Sequence, residues 1–301
     1  MTELEQRFVS AVRVCLSSSI DEAAPLIAMS YFKFGTFIGG ILCAWLYGVP
    51  SPQSPIYRAW RWISTLDQEP EQAVLHYFDI RGRAEAIRIA FHDHSFNYTE
   101  NNFTGVEWGK AGVENNFTTK PNGIKAKMLA EGKLAFGQVP MLEVDGLQIV
   151  QSHSILRFVA RKEGWYDDYK DKSDQLAFID MAADGTEDLR KRLMAIKYDE
   201  NIGDAEKKAK YESWFSAPEE GALWFGHFEA LLGKSRTKWV AGTANPTHAD
   251  YLLFDLIETA EALETASATA LFAKFPKLKS WKDSLASRPN IAAYLSSRKE
   301  A

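Results

Sequence analysis

Tyr77 and Arg83 stand six residues apart in the stretch Leu75 to Arg88, LHYFDIRGRAEAIR. A phenol can donate its O–H to an anion, and a hydrogen bond to a charged acceptor contributes about 1.5–3 kcal/mol, which is about one to two pKa units. A guanidinium keeps its positive charge and favours the same anion. Between the two lies a polar turn with Asp79, Arg81 and Gly82, entered from the strand-like run ending at Tyr77-Phe78 and left through a helix opening at Ala84-Glu85. A strand, a turn and a helix N-terminus bring side chains and unpaired backbone N–H groups to one sheet edge. Taken alone, the stretch reads as well as a βα unit with a solvated basic turn.

A second stretch, Phe136 to Arg157, reads FGQVPMLEVDGLQIVQSHSILR. Pro140 heads a run that alternates into Asp145-Gly146, the strongest short hairpin signal. The next strand runs from Leu147 to Val150 before Gln151-Ser152 opens a helix. LHYFDIRGR, QVPMLEVDG, VQS, AFIDMAADGTEDL from Ala177 to Leu189 and RPNIAAYL near the end occur in an order that resembles the glutathione transferase family. The resemblance runs from about Ala73 to the C-terminus and is strongest to the tyrosine-type alpha, mu and sigma members.

That resemblance implies an α/β thioredoxin-like N-terminal domain followed by an all-α C-terminal domain, and 301 residues can hold two such domains. It implies an enzyme that conjugates the glutathione thiolate to electrophilic small molecules, with isomerase and peroxidase variants using the same thiolate. Glutathione is then the co-substrate, and Tyr77 with Arg83 would hold it as the thiolate. Val139, beside an expected cis Pro140, would pair with its cysteinyl main chain. Gln151 and Ser152 would receive the γ-glutamyl carboxylate at a helix N-terminus. Trp108 and Gln138 match positions near the glycyl end, where Lys110, Lys120, Lys125, Lys127 and Lys133 are all candidates for its carboxylate. Asp188, with Glu187 as the neighbouring alternative, matches the acidic residue that crosses a homodimer interface to the γ-glutamyl amine. The electrophile pocket would draw on Ile80, Leu189, Leu193 and the last helices. A non-catalytic relative serving as a docking module at a membrane is the alternative, and the intact Tyr77, Arg83, Gln151, Ser152 and Asp188 argue against it.

Composition agrees with two globular domains, at 46% hydrophobic and 25% charged residues. A net charge of −5 without a basic cluster gives nucleic-acid binding little support. Both cysteines, Cys15 and Cys43, precede the body, which excludes a cysteine nucleophile or thiolate metal site there and suits a reducing compartment. The six histidines show no metal-ligand spacing, so no metal is expected.

Residues 1–72 read as an extension. Within it, 26–49 is a membrane-span candidate with one charge, Lys33, and 50–72 is a linker with three prolines and an aromatic, basic flank. Residues 73–164 are the expected glutathione-binding domain, with a helix from Ala84 to about His92, a strand from Phe96 to Asn101 and a long, largely irregular stretch from Gly105 to Gly137. Residues 172–301 are expected to be all helical, with stripes beginning at Leu176 and spanning Tyr211 to Leu232, whose aromatics read as core. Thr247 and Asp250 form a capping box, and Pro289 opens the last helix. A glutathione-using body would face the cytosol or another reducing compartment. Sequons at Asn97, Asn102 and Asn116 favour the same side, because a glycan on the strand expected at Asn97 would disturb the sheet.

Overall fold

The apolar run Ala73–Phe78 forms strand β1, one of the two inner strands of a four-stranded sheet of order β2-β1-β3-β4. A strand flanked on both sides needs side chains that bury on both faces, and Ala73, Leu75, His76 and Tyr77 are all buried. β1 pairs in parallel with β2 (Tyr98–Phe103) and antiparallel with β3 (Met141–Val144), His76 opposing Met141. β3 returns as β4 (Leu147–Val150) through Asp145 and Gly146, whose φ values of 49° and 73° match a two-residue hairpin of type I′. A 3₁₀ turn at Gly82–Ala84 leads into α1 (Glu85–Asp93), and α4 (Ser152–Lys162) follows β4. Between β2 and β3 lie the short helices α2 (Gly105–Trp108) and α3 (Ile124–Ala130).

The structure is a computed structural model that describes residues 73–109, 123–169 and 171–298. The candidate span 26–49 and the linker 50–72 lie outside the described residues, as do Lys110, Lys120 and Asn116. Among the described residues no helix is long and apolar enough to cross a membrane.

The helical part begins with α5 (Ser173–Lys197), α6 (Asp204–Trp214) and α7 (Glu220–Lys234). It continues with α8 (His248–Glu261), α9 (Ala266–Ala273), α10 (Pro276–Ala286) and α11 (Pro289–Ser297). α8 is its centre, packed against α5, α1 and α4, with Tyr251, Leu253, Phe254 and Leu256 fully buried. At its start the Asp250 carboxylate accepts the Thr247 N–H at 2.9 Å and hydroxyl at 3.2 Å, the Val240 N–H at 3.0 Å and Trp281 Nε1 at 2.8 Å. One buried carboxylate thus ties a helix cap to a loop and to α10. The sheet and helices are joined through α1, where Asp93 accepts from the Tyr251 hydroxyl at 2.6 Å and Arg288 at 2.7 Å, and Glu85 from Tyr294 at 3.0 Å.

Three expectations are corrected. The second strand begins at Tyr98, not Phe96, because Phe96 closes the turn after α1: its N–H donates to Phe91 O at 2.8 Å and its ring packs 4.5 Å from that of Phe91. Asn97 therefore precedes the strand, and it is Asn102 that lies within it. The stripe from Tyr211 to Leu232 is two helices, α6 and α7, with Pro218 in the break, since proline has no N–H to donate and its ring obstructs the preceding turn. Across the break Gly221 presses on Trp214: a Cβ there would lie 2.4 Å from the indole.

Candidate active site

Tyr77 ends β1 with its ring buried, 6% exposed. Its hydroxyl oxygen accepts the backbone N–H of Arg83 at 2.9 Å. Burial pushes the phenol's pKa up, while the Arg83 N–H and the charges of Arg83 and Arg88 pull it down. The upward direction keeps the proton on the oxygen at neutral pH, ready to be donated. The turn can close this tightly because Gly82 has no side chain; a Cβ there would stand 2.6 Å from the Tyr77 oxygen, and its φ is +46°.

The Arg83 guanidinium has its hydrogen-bond partner elsewhere, while its charge still acts on the phenol. It lies against Glu187 on α5, with Nη1 3.0 Å from both carboxylate oxygens. Arg83 brings the phenol its backbone N–H and its charge, and its side chain adds a half-exposed ion pair with α5. Glu187 also lies 3.7 Å from Nε2 of His153, a nitrogen that is buried without a hydrogen-bond partner.

The other two stretches reach the same edge. The last β1–β3 pair is His76 with Met141, which puts Tyr77 beside the start of β3, and the Val139–Pro140 bond just before it is cis. The N-terminus of α4 is drawn in by Ser152, whose hydroxyl donates to Arg83 O at 2.8 Å. In that arrangement the hydroxyl proton goes to the turn, and the helix N–H groups remain for an anion. Gln151, exposed, precedes the helix with φ 75° and ψ 117°, a strained backbone region for a residue with a side chain.

Trp108 and Gln138 differ in kind. Trp108 is buried in a second small core with Phe103, Met128, Leu134, Met141 and Val150, stacked on Phe103 at 5.1 Å, so its ring is chiefly a packing element. Gln138 is exposed. Of the described lysines, Lys125 stands over the Trp108 ring at 5.9 Å and beside Gly137, whereas Lys133 is paired with Glu143 at 3.1 Å and Glu131 at 3.5 Å. Asp188 is exposed and does not join its neighbour Glu187 at Arg83.

Leu189 and Leu193 are fully buried in the main core and cannot line a substrate pocket. Ile80, three residues after Tyr77, is exposed, and so is Tyr198 just past the end of α5, which lies close enough to act on the phenol's charge. Sequence reasoning missed Tyr198, which ends a helical stripe with no period of its own to mark it. Among the described residues no group of three or more His, Cys, Asp or Glu side chains is placed to hold a metal ion.

Residues 73–161 match the model of the glutathione S-transferase N-terminal domain, and 187–298 that of the C-terminal domain. A glutathione S-transferase of Gallus gallus is 32% identical over 228 residues, covering 74% of this chain and 87% of the relative. The chain belongs to the glutathione S-transferase family. It is a transferase. Another relative, a glutathione S-transferase of Plasmodium falciparum, is 32% identical over 237 residues, with 77% of this chain and 98% of the relative covered. Among solved structures, a Pi-class glutathione S-transferase of Onchocerca volvulus superposes with a TM-score of 0.59 at 24% identity, over 75% of this chain and 93% of the other. One from Caenorhabditis elegans does so with 0.57 at 25%, over 76% and 99%.

Proposed function

We propose that this transferase binds glutathione along the edge shared by Tyr77, Val139 and the N-terminus of α4, and adds its thiolate to electrophilic small molecules. What supports this is the meeting of a phenol, a strand edge and a helix N-terminus at one place. Glutathione's thiol, like model cysteine, is mostly protonated at neutral pH, with a pKa of about 8.5. The Tyr77 oxygen already accepts the Arg83 N–H, which polarises the O–H and aims it outward to a sulfur. The γ-glutamyl carboxylate meets the N–H groups of α4 and Gln151, the cysteinyl main chain pairs with Val139, and Lys125 is the best placed of the described lysines for the glycyl carboxylate. The electrophile approaches past Ile80 and Tyr198, and isomerisation or peroxide reduction by the same thiolate uses the same parts.

The site is completed in a two-fold homodimer, where Asp188 reaches the γ-glutamyl amine bound to the other subunit. Supporting this are the exposure of Asp188 and an apolar depression of about 330 Å³ between α5 and α7, lined by Met181, Gly185, Trp224, Phe228 and Leu231. Phe136, 70% exposed, is a side chain of the size and kind to fill that depression in a second copy. Residues 26–49 are the membrane anchor, with the body on a glutathione-rich side. Carbonate extraction of the full chain and of a chain starting at Gln72 tests this, and a soluble full chain would reject the anchor.

Retention on glutathione resin with elution by free glutathione, followed by a conjugation assay, tests the function itself. Binding without turnover on any electrophile would favour a docking module.

A further inference from the structure

Arg88 is 7% exposed on α1, one turn beyond Glu85, and its whole guanidinium is engaged. Nε and Nη2 grip the two oxygens of Glu100 on β2 at 2.9 and 3.0 Å. Nη1 turns the other way and donates to the carbonyls of Ile80 at 2.8 Å and Arg81 at 3.2 Å. Glu85 lies 3.7 Å away, and the guanidinium carbon stands 5.9 Å from the centre of the Tyr77 ring. A buried ion pair between a helix and a strand accounts for Glu100. It does not account for the two carbonyls, which belong to the turn between Tyr77 and Arg83.

We propose that Arg88 is a positioning residue for the transfer reaction: anchored by Glu100, it holds the Ile80–Arg81 carbonyls so that the Arg83 N–H stays on the Tyr77 hydroxyl. A charged donor to two successive carbonyls fixes a turn more firmly than water can, because water exchanges and the fork of a guanidinium does not. The turn is also held at its ends, by the Ile80 N–H on Phe78 O at 2.7 Å and the Ser152 hydroxyl on Arg83 O at 2.8 Å, and Arg88 is the side chain that grips both carbonyls between them. If it relaxes, the phenol loses its donor, and the hydrogen bond it offers a thiolate weakens. Arg88 therefore acts through Tyr77 and touches no substrate. This rests on Tyr77 as the thiolate's partner.

The test is a titration of bound glutathione, followed by the ultraviolet absorbance of the thiolate, together with kcat and KM. Arg88→Met should raise the thiol pKa by about one unit and lower kcat about tenfold near neutral pH, with KM for glutathione changed less than about threefold. Arg88→Lys keeps the charge and loses the fork, and should show at least half of that effect. In a Tyr77→Phe background, Arg88→Met should add less than about twofold, because the group it acts through is already gone. Full rescue by lysine, or equal effects with and without the Tyr77 hydroxyl, would overturn the assignment. Should Arg88→Met fail to fold, Glu100→Gln loosens the anchor while keeping its shape, and must move the thiol pKa in the same direction; an unchanged value in a folded Glu100→Gln protein counts against the proposal. Tyr77→Phe separates the two levels. If it leaves the thiol pKa unchanged, the Tyr77 assignment is lost; if it raises that pKa and the Arg88 variants do not, only the role of Arg88 is.

Discussion

A methyl group on Gly82 would stand 2.6 Å from the hydroxyl oxygen of Tyr77 and 2.9 Å from a ring carbon, inside the contact distance of any real Cβ. The neighbour that would have to move is a buried ring with little room, and the φ of +46° adds a backbone cost of about 1–3 kcal/mol for a non-glycine residue. Gly82→Ala should therefore act like damage to Tyr77 itself. Turnover is expected to fall by about tenfold or more, with a cooperative unfolding transition retained. A steady-state assay beside a thermal melt checks this, and full activity in the alanine variant would mean that the turn is looser than the contact implies.

Tyr77→Phe keeps the ring in its packing and removes the hydroxyl. Glutathione affinity should hardly change, while the bound thiol's pKa rises and turnover falls by about 10- to 100-fold, the equivalent of about 1.4–2.7 kcal/mol. Isothermal titration and a pH–rate profile separate the two quantities. Unchanged turnover would remove Tyr77 from the chemistry.

Asp188→Ala should weaken glutathione binding more than it slows the bound complex. Met181→Glu, which places a charge in the apolar depression between α5 and α7, should dissociate the dimer and weaken binding with it. Light scattering at micromolar concentration measures the first effect and resin retention the second. A fully active monomer would show that the cross-subunit carboxylate is not needed.

The parts of the fold that follow from local chemistry were legible. Asp145-Gly146 specified a two-residue hairpin, Thr247 with Asp250 specified a helix start, and Pro289 sits in the first turn of α11. Phe96 was misread because an apolar residue after a helix looks the same whether it begins a strand or folds back on that helix; only its contact with Phe91 decides. Leu189 and Leu193 were misread as pocket residues because burial depends on which helix covers them, and spacing along α5 is silent on that. In the site, residue types were readable and partners were not. Nothing in the spacing of Tyr77 and Arg83 says that the backbone of Arg83 meets the phenol while its guanidinium goes to Glu187, 104 residues on.

The last prediction concerns pH. His248 is buried at the start of α8, with Nδ1 against the Tyr166 hydroxyl and Nε2 without a hydrogen-bond partner. Burial, followed by the positive charge of Arg157, holds its pKa well below the ordinary 6.5. Asp180, 3.7 Å from Nε2, is the one carboxylate among the described residues in salt-bridge range of the ring. Burial also lowers His76, His92, His94 and His153. A base whose folded pKa is depressed binds fewer protons folded than unfolded below its ordinary value, so its stabilising contribution is complete above pH 6.5 and is lost as pH falls below it. The slope is about 1.4 kcal/mol per pH unit for each proton so withheld. Glu100 and Glu258, lowered chiefly through Arg88 and through Lys282 with Arg298 against the cost of burial, lose their contribution only below the ordinary carboxylate range. Asp250 and Asp255, raised by burial, act in the opposite sense, so a difference between two proteins is a cleaner measure than either curve. His248→Asn should be less stable than the wild type at pH 7.5 and approach it as the pH falls to 5.5, because the variant has no proton to refuse. At about 2–4 °C per kcal/mol, the gap in Tm should narrow by a few degrees across that range. Parallel Tm curves over the same interval would show that His248 takes up its proton in the folded protein as readily as in the unfolded one.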